Sequence, residues 1–223
     1  MNIQKRNIVD DWGIQIGVDV DETIFPNLPI FVEWHNRHYG TQATLVNFAE
    51  YGGWNEVFGI SVEVVVERFM EFMYGYYYDL SPEPFPGAEN TLVGLKDDGV
   101  GLNIVSSRQS ELLSLTNRQV DRAFSDQRLF TGFSLGNKYS RDSNNRGFHE
   151  KWQICKLMHI RLMIDDRVSE AESLTAHGVE VILFNRNDQY PWSVTEHSND
   201  RIHMASTWHQ IRPLATNLIQ KLY

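Results

Sequence analysis

Two carboxylates one residue apart, Asp19 and Asp21, stand in the stretch GVDVDETIF at residues 17–25, at the end of the apolar run IQIGVDV. Like charges at that spacing repel, and burying either is costly, so the pair needs a cation, a metal ion or a chemical role. Three further stations follow the same design. Ser106 and Ser107 close the apolar run VGLNIVSS, Asp165 and Asp166 close IRLMIDD, and Lys151 opens the helical stretch between them. Together these residue types supply the parts of phosphoryl transfer. One carboxylate can attack phosphorus and carry the group covalently, and a second can protonate the leaving oxygen and then activate water. Mg²⁺ takes oxygen ligands and is often held by one or two carboxylates plus phosphate oxygens. Hydroxyls, backbone N–H groups and a lysine can hold the equatorial oxygens as charge redistributes. A metal ion and Lys151 would also neutralise the crowded aspartates.

The elements that must position these residues read as an alternation. Apolar, β-branched runs at 14–20, 100–107, 160–166, 179–185 and 201–206 predict strands, and helical stretches lie between them. Such alternation implies an α/β fold, a Rossmann-like parallel sheet with helices on both faces. Ligands of such sheets bind at the carboxyl ends of the strands, which brings DVD, SS and DD together. Residues 27–85 interrupt the pattern with helices only, between the breakers PNLP and SPEPFPG, and read as a small helical cap inserted after the first strand. The division is then 1–26 and 86–223 for the core domain and 27–85 for the cap. Within the cap, Val62, Val65, Val66, Phe69, Met73 and Tyr76 predict one packed face of a helix over 61–79 with Ser61 as N-cap. Residues 131–147, rich in Gly, Asn and Ser, predict an exposed loop.

Composition narrows the class. The 223 residues are 42% hydrophobic, enough for a real core, and the net charge of -9 disfavours a nucleic-acid polymer as partner. A small phosphorylated ligand is compatible with it. The single cysteine, Cys155, reads as a small buried hydrophobe, and its solitude fits a reducing compartment. Neither a signal peptide nor an apolar run of membrane-spanning length is evident, so a cytoplasmic location away from membranes is expected.

At this point VDVDET, IVSSR, the helix beginning with Lys151 and LMIDDR resemble, in order, the four signature motifs of haloacid dehalogenase (HAD)-type phosphatases, over nearly the whole chain. The resemblance implies roles. Asp19 would be the nucleophile that becomes aspartyl-phosphate, and Asp21 the general acid/base, with its backbone carbonyl on Mg²⁺. Ser106, seconded by Ser107, would hold the phosphoryl group, and Lys151 would stabilise both nucleophile and phosphate. The metal would be held by Asp19, Asp21 and Asp165, with Asp166 a direct ligand or acting through water. A closer similarity is to the 5′(3′)-deoxyribonucleotidase branch, carried by PFPGAENTL, IVSSRQ, LTNRQVDRAF and VEVILFNRNDQYPW. Glu22 stands where that group has a small residue, and Ser106 where it has threonine. The expected activity is a Mg²⁺-dependent phosphomonoesterase, by this similarity a nucleotidase on (deoxy)nucleoside monophosphates. The alternatives are another small phosphate ester such as a sugar phosphate, or a non-catalytic phosphate- or protein-binding relative. A dehalogenase is disfavoured because Asp21 is the extra acid that an ester's leaving oxygen needs.

Other residues carry competing readings. Phe48, Tyr51, Trp54 and Phe58 cluster in NFAEYGGWNEVFG and could stack a nucleobase or pack the cap. Arg108 could reach a phosphate or sugar, or sit in a surface salt bridge. Arg167 reads as a structural partner of an acidic neighbour, and His35 and His38 as surface residues. The oligomeric state is left open, with a homodimer as one option.

Overall fold

The computed structural model describes residues 13–48, 53–126, 128–136, 149–194 and 199–222. Six strands, β1 (Ile14–Val18), β2 (Val100–Ser106), β3 (Gly132–Leu135), β4 (Leu162–Asp165), β5 (Glu180–Phe184) and β6 (Ile202–Ala205), form one all-parallel sheet in the order β3-β2-β1-β4-β5-β6. The chain lays β2 and β3 on one side of β1 and then returns to lay β4, β5 and β6 on the other. That reversal opens a crevice beside the C-terminal end of β1, where open α/β sheets place their ligands.

Alternating side chains bury both faces, as a parallel sheet requires. One face packs Ile16, Val18, Ile104, Ile164 and Phe184 against α5 (Ala88–Asp97) and α9 (Trp208–Leu222). The other packs Val105, Met163, Val181 and Leu183 against α7 (Lys151–Leu157) and α8 (Val168–Ala176), with Cys155 fully buried as expected. Gly17 in the central strand allows this second layer to close. A Cβ there would come within 2.5 Å of Met163 Sδ and 3.3 Å of Val105 Cγ2.

Between β1 and α5 the described residues form α1 (Leu28–Tyr39), α2 (Trp54–Phe58), α3 (Val62–Phe72), a π-helical turn (Met73–Tyr77) and α4 (Tyr78–Leu80), with a 3₁₀ turn after α1. Ser61 caps α3, its hydroxyl accepting from the Val64 N–H at 3.4 Å. The predicted apolar stripe of 61–79 follows the structure to Met73 and then departs from it. Tyr76 is exposed and Tyr77 is buried instead, because the π turn inserts one residue into the helical phase. Tyr77 is anchored there by hydrogen bonds to the Pro26 carbonyl and from Gln119.

The predicted loop over 131–147 requires a correction. Residues 132–135 are strand β3, paired with Asn103–Ser106 of β2. As a short edge strand, half-buried throughout, it carries no alternation strong enough to stand out from its Gly- and Ser-rich flanks. Residues 137–148 lie outside the described residues. Among the described residues no helix is long and apolar enough to cross a membrane.

Candidate active site

The sheet order explains why four distant stations meet. β1 lies between β2 and β4, with Val18 level with both Ile104 and Ile164, so the strand ends carrying Asp19, Ser106 and Asp165 are neighbours. The Asp19 N–H donates to the Ile164 carbonyl at 2.9 Å, extending the ladder to the carboxylate itself. The chain then turns tightly. Ile24 and Phe25 N–H groups both donate to the Val20 carbonyl, and Glu22 takes a left-handed conformation with φ of 58°. Trp208 of α9 donates its indole N–H to the Thr23 carbonyl at 3.0 Å, pinning the turn to the core.

Asp19, Asp165 and Asp166 each offer a carboxylate oxygen to a common point, with those oxygens within 4.8 Å of one another, and all three residues are buried. Lys151, at the N-terminus of α7, is the cation that Asp19 and Asp165 share. Its Nζ lies 2.5 Å from Asp165 Oδ2 and 3.1 Å from Asp19 Oδ1. The Asp19 contact is an ion pair without hydrogen-bond geometry, so Oδ1 is buried and accepts no hydrogen bond. Burial pushes the Asp19 carboxyl up to about 6; Lys151 pulls it back, while Asp165 and Asp21 push the same way as burial. Asp166 is also raised well above the ordinary carboxylate range, by burial first and then by Asp165, Asp19 and Glu22. Burial works against the charge on Lys151, but Asp165 and Asp19 outweigh it and raise its pKa.

This donor set suits a hard divalent cation. It offers three buried oxygens from carboxylates, one of them without a hydrogen bond, at a point where negative charge exceeds positive. Asp165 is engaged at both oxygens, by Lys151 and by the Arg167 N–H at 3.1 Å. Asp166 Oδ2 accepts from the Trp192 indole N–H at 2.5 Å, and its carbonyl accepts from the Ser193 hydroxyl. Trp192 and Ser193 therefore orient Asp166 from behind, a role that the sequence reading missed. The available signal was that Trp192 closes the run VEVILFNRNDQYPW, on the loop following β5.

Asp21 sits differently. Its side chain is outside the three-carboxylate set and faces Arg108. Arg108 Nε donates to Asp21 Oδ2 at 2.9 Å and Nη2 donates to Oδ1 at 2.6 Å. Arg108 is 2% exposed, so the surface salt bridge weighed for it is not what forms, and its guanidinium is held by Asp21, not open towards a phosphate or sugar. Burial disfavours its charge, but Asp21 more than compensates and its pKa is raised.

Ser106 is buried at the end of β2, and its Oγ accepts from the Arg108 N–H at 3.4 Å. Ser107 Oγ accepts from Arg167 Nη2 at 2.8 Å, and the same nitrogen pairs with Glu170 at 2.6 Å, the acidic neighbour expected for Arg167. Glu22 is fully buried, and its Oε1 accepts from the N–H groups of Asn27 and Leu28 at 2.7 and 2.6 Å. A carboxylate at a helix N-terminus satisfies orphan donors and the helix dipole, which accounts for an acidic residue at this position.

The aromatic residues of the cap pack on one another. Phe31 sits at the centre, with ring centroids 5.1 Å from Trp54, 5.7 Å from Phe58 and 5.1 Å from Phe72. Phe48 is fully buried and meets Trp54 edge-on at 6.2 Å. Of the two readings of this cluster, packing is the one seen. Tyr51 lies outside the described residues. His35 corrects another expectation, because it is fully buried. Its Nε2 takes a hydrogen bond from Arg68, a donor only, so the proton sits on Nδ1 and goes to Thr41. Burial and then Arg68 lower its pKa to about 4.

No family model matches the chain and no curated protein does. Solved structures do. A haloacid dehalogenase-like family hydrolase from Streptococcus pneumoniae superposes with a TM-score of 0.66 at 12% identity, covering 92% of this chain and 99% of its own. A protein described as a phosphoglycolate phosphatase from Haemophilus somnus gives 0.60 at 16%, covering 92% and 98%. One described as a β-phosphoglucomutase from Thermotoga maritima gives 0.59 at 14%, covering 92% and 99%. At such identities the likeness is one of architecture, and with the six-stranded order above it gives the chain the haloacid dehalogenase fold.

Proposed function

We propose that the protein is a Mg²⁺-dependent phosphomonoesterase acting on a small phosphate ester through an aspartyl-phosphate on Asp19. The observation that carries this reading is the convergence of Asp19, Asp165, Asp166 and Lys151 at the strand ends, with a second carboxylate, Asp21, two residues from the first. Asp19 would attack phosphorus as the ester P–O bond breaks, with Asp21 relaying to the leaving oxygen a proton brought in on the ester monoanion. Asp21 would then take a proton from the water that attacks the phosphoryl group and restores Asp19. Ser106, Ser107 and Lys151 would hold the phosphoryl oxygens. Asp19, Asp165 and Asp166, with the Asp21 carbonyl, would hold the cation. Once bound, it supplies positive charge to phosphate oxygens whose negative charge must approach a carboxylate nucleophile.

For the substrate, similarity to proteins described as a phosphoglycolate phosphatase and a β-phosphoglucomutase supports a small phosphorylated acid or sugar. The nucleoside monophosphate reading rests on the motif similarity of PFPGAENTL and IVSSRQ. The cap aromatics give it no support, since Trp54 and Phe48 are committed to packing. Helices 27–85 act in this proposal as a cap over the strand ends. The test is phosphate release from a panel of sugar phosphates, phosphorylated acids and nucleoside monophosphates, with Mg²⁺, with chelator and with Asp19→Asn. Metal-dependent release that vanishes in the variant is expected, with the ranking deciding the class. Release from no ester at any metal concentration would overturn the reading.

A further inference from the structure

Arg108 has an investment around it that packing does not explain. A guanidinium with a side chain 0% exposed costs several kcal/mol to desolvate, and a buried ion pair is commonly no more stabilising than an apolar replacement. Its fork is nevertheless matched at every visible edge. Nε and Nη2 grip both oxygens of Asp21, at 2.9 and 2.6 Å. Nη1 donates to Thr116 Oγ1 and to Gln119 Oε1, each at 2.9 Å. Both partners come from α6 (Leu113–Ala123), where they occupy the buried face beside Leu115 and Val120. Gln119 passes the chain on, its Nε2 donating to the Tyr77 hydroxyl at 3.2 Å, and Tyr77 in turn donates to the Pro26 carbonyl at 3.1 Å.

A bidentate guanidinium fixes the plane of a carboxylate as well as its place. A lysine or a single N–H would fix only its place. The grip still leaves Asp21 usable. Its side chain is 12% exposed against 7% for Asp19, so the fork does not seal the carboxylate off. Each carboxylate oxygen has two lone pairs, more than the contacts of the fork take up.

We propose that Arg108, backed by Thr116 and Gln119, is a positioning residue that sets the plane of the Asp21 carboxylate for proton exchange with the leaving oxygen, an assignment that rests on the phosphomonoesterase reading. Proton transfer by a placed side chain contributes about 10²–10⁴-fold, and it matters most where the leaving oxygen is strongly basic. Loss of the plane should therefore slow phosphorylation of Asp19 by alkyl phosphates and spare phosphorylation by aryl phosphates, whose leaving group departs without a proton.

The experiment compares kcat/KM, which reports the steps up to departure of the leaving group, on an alkyl phosphate ester and on p-nitrophenyl phosphate for wild type, Arg108→Lys, Gln119→Leu and Thr116→Val. The last two loosen the backing without touching the Asp21 contact, and stand in if Arg108→Lys fails to fold. The expected result is an alkyl-ester loss of about 10²-fold in Arg108→Lys and roughly 3–10-fold in the helix variants, at least tenfold and threefold larger, respectively, than the loss on the aryl ester. Equal losses on both esters, or no loss, would overturn the inference while leaving the phosphatase reading intact. A wild type that hydrolyses neither ester would instead remove both.

Discussion

On one side of the cleft Asp19 and Asp165 share Lys151, with Asp166 converging beside them, while on the other Asp21 is paired with Arg108. The first group is short of positive charge, since the nearby Arg167 is also paired with Glu170. The carboxyls of Asp19 and Asp166 respond by rising above the ordinary range. The second group is balanced, one carboxylate to one guanidinium, with the guanidinium's remaining arm satisfied by α6. The difference teaches what each half is built for. A charge deficit among converging oxygens is a place for a cation, and a matched pair is a place where geometry is held constant.

Substitutions can break this contrast, beginning with Asp19, the proposed nucleophile. Asp19→Asn should lower phosphate release by about 10⁴-fold or more, as loss of a covalent catalyst does, measured as kcat on the best substrate of the panel. Charge removal should then act with opposite signs on the two halves. Asp21→Asn leaves a buried guanidinium without its anion and should cost about 3–5 kcal/mol of stability by denaturant titration in chelator. Asp166→Asn removes one of the crowded charges while keeping an acceptor for the Trp192 N–H. It should be neutral or stabilising under the same conditions, increasingly so as pH rises, because a carboxyl with a raised pKa costs stability once it ionises. If both variants destabilise alike, the contrast is wrong.

A smaller effect belongs to the support of the cation site. Trp192→Phe should weaken Mg²⁺ binding about 10–100-fold by calorimetry, since it frees Asp166 to rotate. Smallest is a titration far from the cleft. His35 is held neutral in the fold with a pKa of about 4, against 6.5 for an unperturbed histidine. The unfolded chain therefore takes up this proton first. Stability should fall as pH drops from 6.5 towards 4 and be fully present above 6.5, and His35→Gln should flatten that part of the melting profile.

The core and the stations were legible because they follow simple rules. Strands buried on both faces read as continuous apolar runs, and polar residues at their ends stand out against them. Edge strand β3 was lost because half-buried residues in a Gly- and Ser-rich stretch carry no such contrast. Tyr76 was put on the packed face in place of Tyr77 because of a single inserted helical residue, which propensities do not announce. The role of Arg108 had a readable trace. Leu112, Leu115, Thr116, Gln119 and Val120 fall on one helical face, and two polar residues in an apolar stripe forecast a buried polar partner. Which partner they meet depends on contacts from residue 21 to residue 119, which no local pattern encodes.

The central claim is that Asp19 carries the phosphoryl group, and it is tested most directly in Asp21→Asn. With p-nitrophenyl phosphate the leaving group needs no acid, so Asp19 should still be phosphorylated, while the water that would release it lacks a base. Intact-protein mass spectrometry and peptide mapping after mixing with Mg²⁺ should find one phosphoryl adduct on the peptide bearing Asp19, absent from the Asp19→Asn/Asp21→Asn double variant. Nitrophenol release that proceeds with no adduct, or with the adduct on another residue, would contradict the account.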